Sequence, residues 1–114
     1  MPYIGQKLQQ PLRITAYTVE GKPIGYFTSF EVSPQGLYIQ GDIPAFFEAL
    51  RLVDSPLVIL DIHEARKRAI RATARANLFG TIPTGPKAKT FLRFVRLGGE
   101  HKRRFYKILY GDYW

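Results

Sequence analysis

Cysteine is absent from the 114 residues. That excludes a disulfide framework, a thiolate metal site and a cysteine nucleophile, and it agrees with a reducing cytoplasm as the expected location. Long apolar runs are missing too: no stretch stays apolar over the ~20 residues that a bilayer-spanning helix needs. Met1 to Gln10 lacks the basic-then-apolar layout of a secretory signal. Histidine occurs only at His63 and His101. Asp61, His63 and Glu64 superficially suggest a metal or acid–base group, but no second histidine stands at ligand spacing, so no metal is expected. No phosphate-binding loop, nucleophile elbow or carboxylate pair stands out. The chain therefore reads as a binding module rather than an enzyme, with no cofactor.

What is present is apolar mass and positive charge. Hydrophobic residues make up 46% of the chain and aromatic ones 14%, enough for one core. Lys and Arg total 17 against 9 Asp and Glu, a net charge of +8. Such a surface attracts polyanions: nucleic acid, nucleotides, anionic lipid or an acidic protein.

Period-two alternation dominates. Residues 1–11 read as an N-terminal arm, held extended at Gln10 by Pro11, and residues 12–114 as one domain. Leu12 to Val19 alternates as a strand. Glu20 to Pro23 is a turn, and Ile24 to Val32 is a second strand rich in aromatic and β-branched residues. Ser33-Pro34-Gln35-Gly36 is a tight turn with Pro34 at its second position and Gly36 free to take positive φ. Leu37 to Gln40 returns as a third strand. Asp42 to Val53 is a short helix capped by Asp42, with Phe46, Phe47, Leu50 and Val53 on its apolar face. Leu57 to Ile62 is an apolar strand.

Arg66 to Gly80 is ambiguous. Arg68 to Asn77 is full of helix formers, yet Ile70, Ala72, Ala74, Ala76 and Leu78 alternate with Arg71, Thr73, Arg75, Asn77 and Phe79, which favours a strand. Thr81 to Lys89 is a Gly/Pro loop, and Thr90 to Leu97 a further strand. Glu100 to Tyr110 has helical spacing, with Phe105, Ile108 and Leu109 on one stripe. Short strands followed by a terminal amphipathic helix predict a mainly β chain: a small barrel flanked or plugged by that helix.

The run Phe30-Glu31-Val32-Ser33-Pro34-Gln35-Gly36-Leu37-Tyr38-Ile39 resembles the hairpin of PilZ domains, which carries [DN]-x-S-x-x-G before apolar residues. The order of the remaining elements agrees over nearly the whole chain. The resemblance implies a six-stranded antiparallel β-barrel with a short helix and a C-terminal amphipathic helix. It also implies a bacterial signalling module that binds cyclic di-GMP and acts on a protein partner. In that family an R-x-x-x-R motif on the arm holds the phosphates and stacks on guanine, while the hairpin contacts guanine and ribose. Arginine suits this, offering a bidentate fork and a flat face. Carried over, the ligand-binding positions are Gln9, Arg13, Glu31, Ser33 and Gly36. Two depart from the pattern: Gln9 stands where the first arginine belongs, and Glu31 replaces Asp or Asn. A nucleotide-independent protein adaptor is therefore a second expectation.

Two basic clusters remain. Arg66, Lys67, Arg68, Arg71 and Arg75 are the densest charge; on a strand Arg71 and Arg75 share a face with Thr73, a candidate basic patch best read as solvated barrel exterior. Lys102, Arg103, Arg104 and Lys107 are expected on the exposed side of the terminal helix, with Tyr106, Tyr110 and Trp114 nearby. A basic nucleic-acid-binding barrel is the third expectation, but no helix-turn-helix or RNA-recognition pattern supports it.

Overall fold

A computed structural model describes residues 6–54, 56–82 and 88–110. Eight elements follow in order: β1 (Gln6–Thr18), β2 (Pro23–Ser33), β3 (Gly36–Gln40), α1 (Ile43–Leu52), β4 (Leu57–His63), β5 (Ile70–Ile82), β6 (Lys89–Arg96) and α2 (Gly99–Tyr110). The strands close into one antiparallel barrel in the order β1-β2-β3-β6-β5-β4. The fold is the expected one.

Alternation sets which side of each strand faces inward. Leu12, Ile14, Ala16 and Thr18 of β1 are all buried, while Arg13, Thr15 and Tyr17 face outward. On β4 the buried set is Val58, Leu60 and Ile62; on β5 it is Ile70, Ala72 and Ala74. The small Ala16, Ala72 and Ala74 leave room for the larger Ile14, Leu60, Ile62 and Leu92, which suits the narrow interior of a six-stranded barrel. That inward alanine face settles the ambiguous segment as a strand from Ile70 onward, against the helix propensity of its residues.

Strand β1 begins at Gln6, six residues before the expected start, so the second half of the expected arm is strand. Lys7 pairs with Glu31 and Leu12 with Ser29, which sets Leu8, Gln9, Gln10 and Pro11 against Phe30 alone. This wide bulge accommodates Pro11, which has no N–H to give to a ladder. At the other end of the chain, β5 continues to Ile82 and shortens the expected loop. Pro83, Gly85, Pro86, Gly111, Tyr113 and Trp114 lie outside the described residues.

Both helices pack against the barrel and bury apolar residues in its core. Strands β3 and β4 stand on opposite sides of the ring, so α1 must carry the chain across its mouth. Asp42 caps α1 by accepting from the Ala45 N–H at 3.1 Å. Ile43, Phe46 and Leu50 are buried beneath it, and the Phe46 ring meets Phe27 edge-on at 5.5 Å. Each such fully buried side chain contributes about 1.5–3 kcal/mol through lost apolar exposure.

Helix α2 buries Phe105 and Leu109, with Phe105 edge-on to Phe94 at 5.0 Å. Its polar contacts are specific. His101 Nδ1 accepts the backbone N–H of Arg71 at 3.1 Å. Arg104 donates to the carbonyls of Ala69, at 3.4 Å, and Arg68. Arg104 therefore departs from the expected exposed basic face: its guanidinium is spent on the β4–β5 loop, whose carbonyls precede the strand and lack ladder partners.

Candidate functional site

The β2–β3 hairpin and the first turns of β1 carry the positions singled out in the sequence. Ser33 and Gly36 pair across a two-residue loop of Pro34 and Gln35. The Ser33 hydroxyl is fully buried; it donates to the Gly36 carbonyl at 3.1 Å and accepts the N–H groups of Gln35 at 3.3 Å and Gly36 at 3.2 Å. It therefore builds the turn, and its hydrogen-bonding capacity is used within the turn.

Gly36 is needed for a different reason than expected. Its φ is not positive. Instead β6 passes so close that a Cβ there would sit 2.1 Å from the Leu92 carbonyl oxygen and 2.9 Å from Phe91 Cζ. Glycine is required by close backbone approach rather than by turn geometry.

Glu31 is outward and about three-quarters buried, and Lys89 Nζ lies 3.1 Å from its Oε1. The same ammonium stands 4.6 Å from the centre of the Tyr38 ring, which in turn meets Phe91 edge-on at 5.1 Å. Lys7 is opposite Glu31 on β1. This cluster was not legible beforehand: Lys89 is 58 residues from Glu31 and reaches it only because β3 bridges β2 and β6. Local pattern gave no signal for it, since the sequence reading leaves Lys89 at the end of the Gly/Pro loop, whereas it is the first residue of β6.

Arg13 lies elsewhere on the outer face. It pairs with Thr28 on β2 and His63 on β4, and its guanidinium donates to the Ala65 carbonyl at 3.3 Å. It lines an open cleft of about 820 Å³ together with Tyr17, Tyr26, Gln40, Asp61 and His63, a lining that includes strand residues of the hairpin but not Glu31, Ser33 or Gly36. Gln9 belongs to the bulge of β1, and its side chain lies outside the described residues. Among the described residues, Arg13 and Glu31 therefore share the barrel's exterior but not this cleft.

Asp61 and His63 do share a face, as alternation requires. Asp61 is committed to Arg71, which grips both its oxygens at 2.8 and 3.1 Å. That hydrogen bond, and then the carboxylate's charge, push the Arg71 guanidinium pKa up. Arg71, Thr73 and Arg75 point outward as expected, with Arg71 occupied by Asp61 rather than free. Among the described residues no group of three or more His, Asp or Glu could hold a metal ion, and no helix is long and apolar enough to cross a membrane.

The closed six-stranded barrel with this hairpin, a helix across its mouth and a C-terminal helix is a PilZ-like fold. Three solved structures share it. The PilZ domain of YcgR from Escherichia coli, with c-di-GMP, matches with a TM-score of 0.63 at 11% identity, over 96% of this chain and 88% of that one. MrkH of Klebsiella pneumoniae in its apo state matches with a TM-score of 0.66 at 15% identity, over 94% and 48%. The Bacillus subtilis inhibitor of motility, MotI/DgrA, matches with 0.60 at 15% identity, over 98% and 53%. The chain spans about half the length of the latter two. No protein-family model matches the sequence, and no curated protein matches it.

Proposed function

We propose that the chain is a non-enzymatic PilZ-like signalling module that binds cyclic di-GMP weakly through Arg13 and acts on a protein partner. The observation that carries this reading is the Arg13 guanidinium. It is exposed on the first strand, beside an open cleft, and among the described residues it donates one hydrogen bond, at 3.3 Å to a loop carbonyl. A ligand phosphate or guanine O6 would replace that neutral contact with a charge-assisted, bidentate one. Gln9 supplies no second guanidinium. A missing arginine at such a site costs about 2–5 kcal/mol, roughly thirtyfold to several thousandfold in affinity.

Two observations favour a second reading, a nucleotide-independent adaptor. The Ser33 hydroxyl is consumed by its own turn, and Lys89 neutralises the carboxylate that would accept guanine N–H groups. Calorimetric titration with cyclic di-GMP separates the two. The first reading expects weak binding that disappears in Arg13→Ala and strengthens at least about thirtyfold in Gln9→Arg. Absence of heat in the wild type and in Gln9→Arg alike would exclude it and leave the adaptor.

A further inference from the structure

We propose that the outer face of α2, together with the β4–β5 loop, is the docking surface for the protein partner, and that the partner presents a carboxylate-rich segment. The inference rests on the reading of this chain as a module that acts through a protein contact.

The fold gathers its charge here. Residues 64–68 and 99–110 carry seven of the 17 basic residues and two of the nine acidic ones, a net +5 of the chain's +8. The two segments are far apart in sequence and are pinned together: Arg104 donates to the Arg68 and Ala69 carbonyls, and Arg68 reaches Glu100 at 3.5 Å. Both local acids are already used, Glu100 by Arg68 and Glu64 by Lys67 at 3.2 Å. Among the described residues, Arg66, Lys102, Arg103 and Lys107 then have no carboxylate partner. All four are exposed. Uncompensated like charges on one helix face destabilise it slightly, so an acidic partner would relieve a cost as well as add attraction.

The chemistry of the face favours carboxylates over other anions. Single-stranded nucleic acid binds by stacking bases on open aromatic faces. Tyr106 is covered by Lys102 at 5.6 Å and turned edge-on to Tyr110 at 6.0 Å. A membrane-surface helix inserts its apolar side, and here that side, Phe105 and Leu109, is buried against the barrel. What α2 offers is a ridge of separated cations, which suits carboxylates spaced along a helix or strand.

The test uses the full chain and a fluorescein-labelled dodecapeptide of alternating Glu and Ser. The variants are Lys102→Glu/Arg103→Glu/Lys107→Glu and the milder Lys102→Gln/Lys107→Gln. Anisotropy is expected to show peptide binding that weakens steeply with salt. It should fall at least about tenfold in the triple variant and less in the double. Amide chemical-shift changes should cluster on residues 66–68 and 99–110. Equal peptide binding by wild type and triple variant, or shifts mapping elsewhere, would overturn the proposal. So would tighter binding of a dT12 oligonucleotide, which would reassign the face to nucleic acid, or of phosphatidylglycerol vesicles, which would reassign it to a membrane. Cyclic di-GMP calorimetry on the same proteins keeps the readings apart: loss of peptide binding with unchanged nucleotide binding isolates α2, and the converse isolates the Arg13 site.

Discussion

Replacing Gly36 by alanine tests the close approach of β3 to β6. The added methyl would stand 2.1 Å from the Leu92 carbonyl oxygen, where ordinary contact begins near 3.4 Å, and 3.0 Å from Arg93 Cα. Two of the three nearest atoms are backbone, so moving the Phe91 ring alone cannot relieve the clash. Strands β3 and β6 must part by roughly 1 Å, enough to break the hydrogen bond from the Phe94 N–H to the Gln35 carbonyl, now 2.8 Å. Overpacking costs about 1–3 kcal/mol. A buried backbone group left unpaired adds about 1–3 kcal/mol, offset by about 0.5–1 kcal/mol from removing a flexible glycine. The expected loss is about 3 kcal/mol, or roughly 10–20 °C in Tm. Urea denaturation followed by circular dichroism measures it. Gly98→Ala is the control: nothing lies within 4 Å of its Cβ position, so it should change stability by less than about 0.5 kcal/mol. If Gly36→Ala were as stable as the control, β3 and β6 would not approach as closely as described. A residue that served only a ligand would behave in that way.

Three further substitutions probe other parts of the argument. Ser33→Ala removes the hydroxyl that serves two N–H groups and one carbonyl; urea denaturation is expected to show a loss of about 1–3 kcal/mol even without ligand. Ala65 holds φ at +50°, a conformation costing a non-glycine residue about 1–2 kcal/mol, so Ala65→Gly should stabilise the fold by up to about 1 kcal/mol; a clear loss would contradict this. The raised pKa of Arg71 keeps its charge, and the stability linked to it, at every pH below its usual value, with loss only above that. Because Arg71 is largely exposed, Asp61→Asn should cost under about 1 kcal/mol, and added salt should shrink the difference.

The strands were legible because burial in a closed barrel enforces a period of two, and the sequence keeps it even where helix formers are plentiful. Ile70, Ala72 and Ala74 announced an inward face more strongly than their propensities announced a helix. The bulge of β1 was not legible, because nothing in Leu8 to Pro11 states which residue of β2 they oppose. The site was legible only in pieces. Arg13 on an outward position follows from alternation alone. The inward turn of the Ser33 hydroxyl, the Glu31–Lys89 pair and the redirection of Arg104 each depend on the registry of distant strands or the docking of a helix. Local pattern carries no such information.

The ladder between β5 and β6 ends at the pair Thr73–Arg96, yet β5 begins three residues earlier. On that side the Arg71 N–H finds His101, and the neighbouring loop carbonyls find Arg104. Helix α2 thus does for this stretch what a longer sixth strand would have done. A barrel is protected from recruiting foreign strands because it has no edge, and here a short edge would exist without the helix. Were α2 to come away, Ile70 to Ala72 would become a template for a strand of another molecule. Self-association would then be the first symptom of a damaged C-terminal helix.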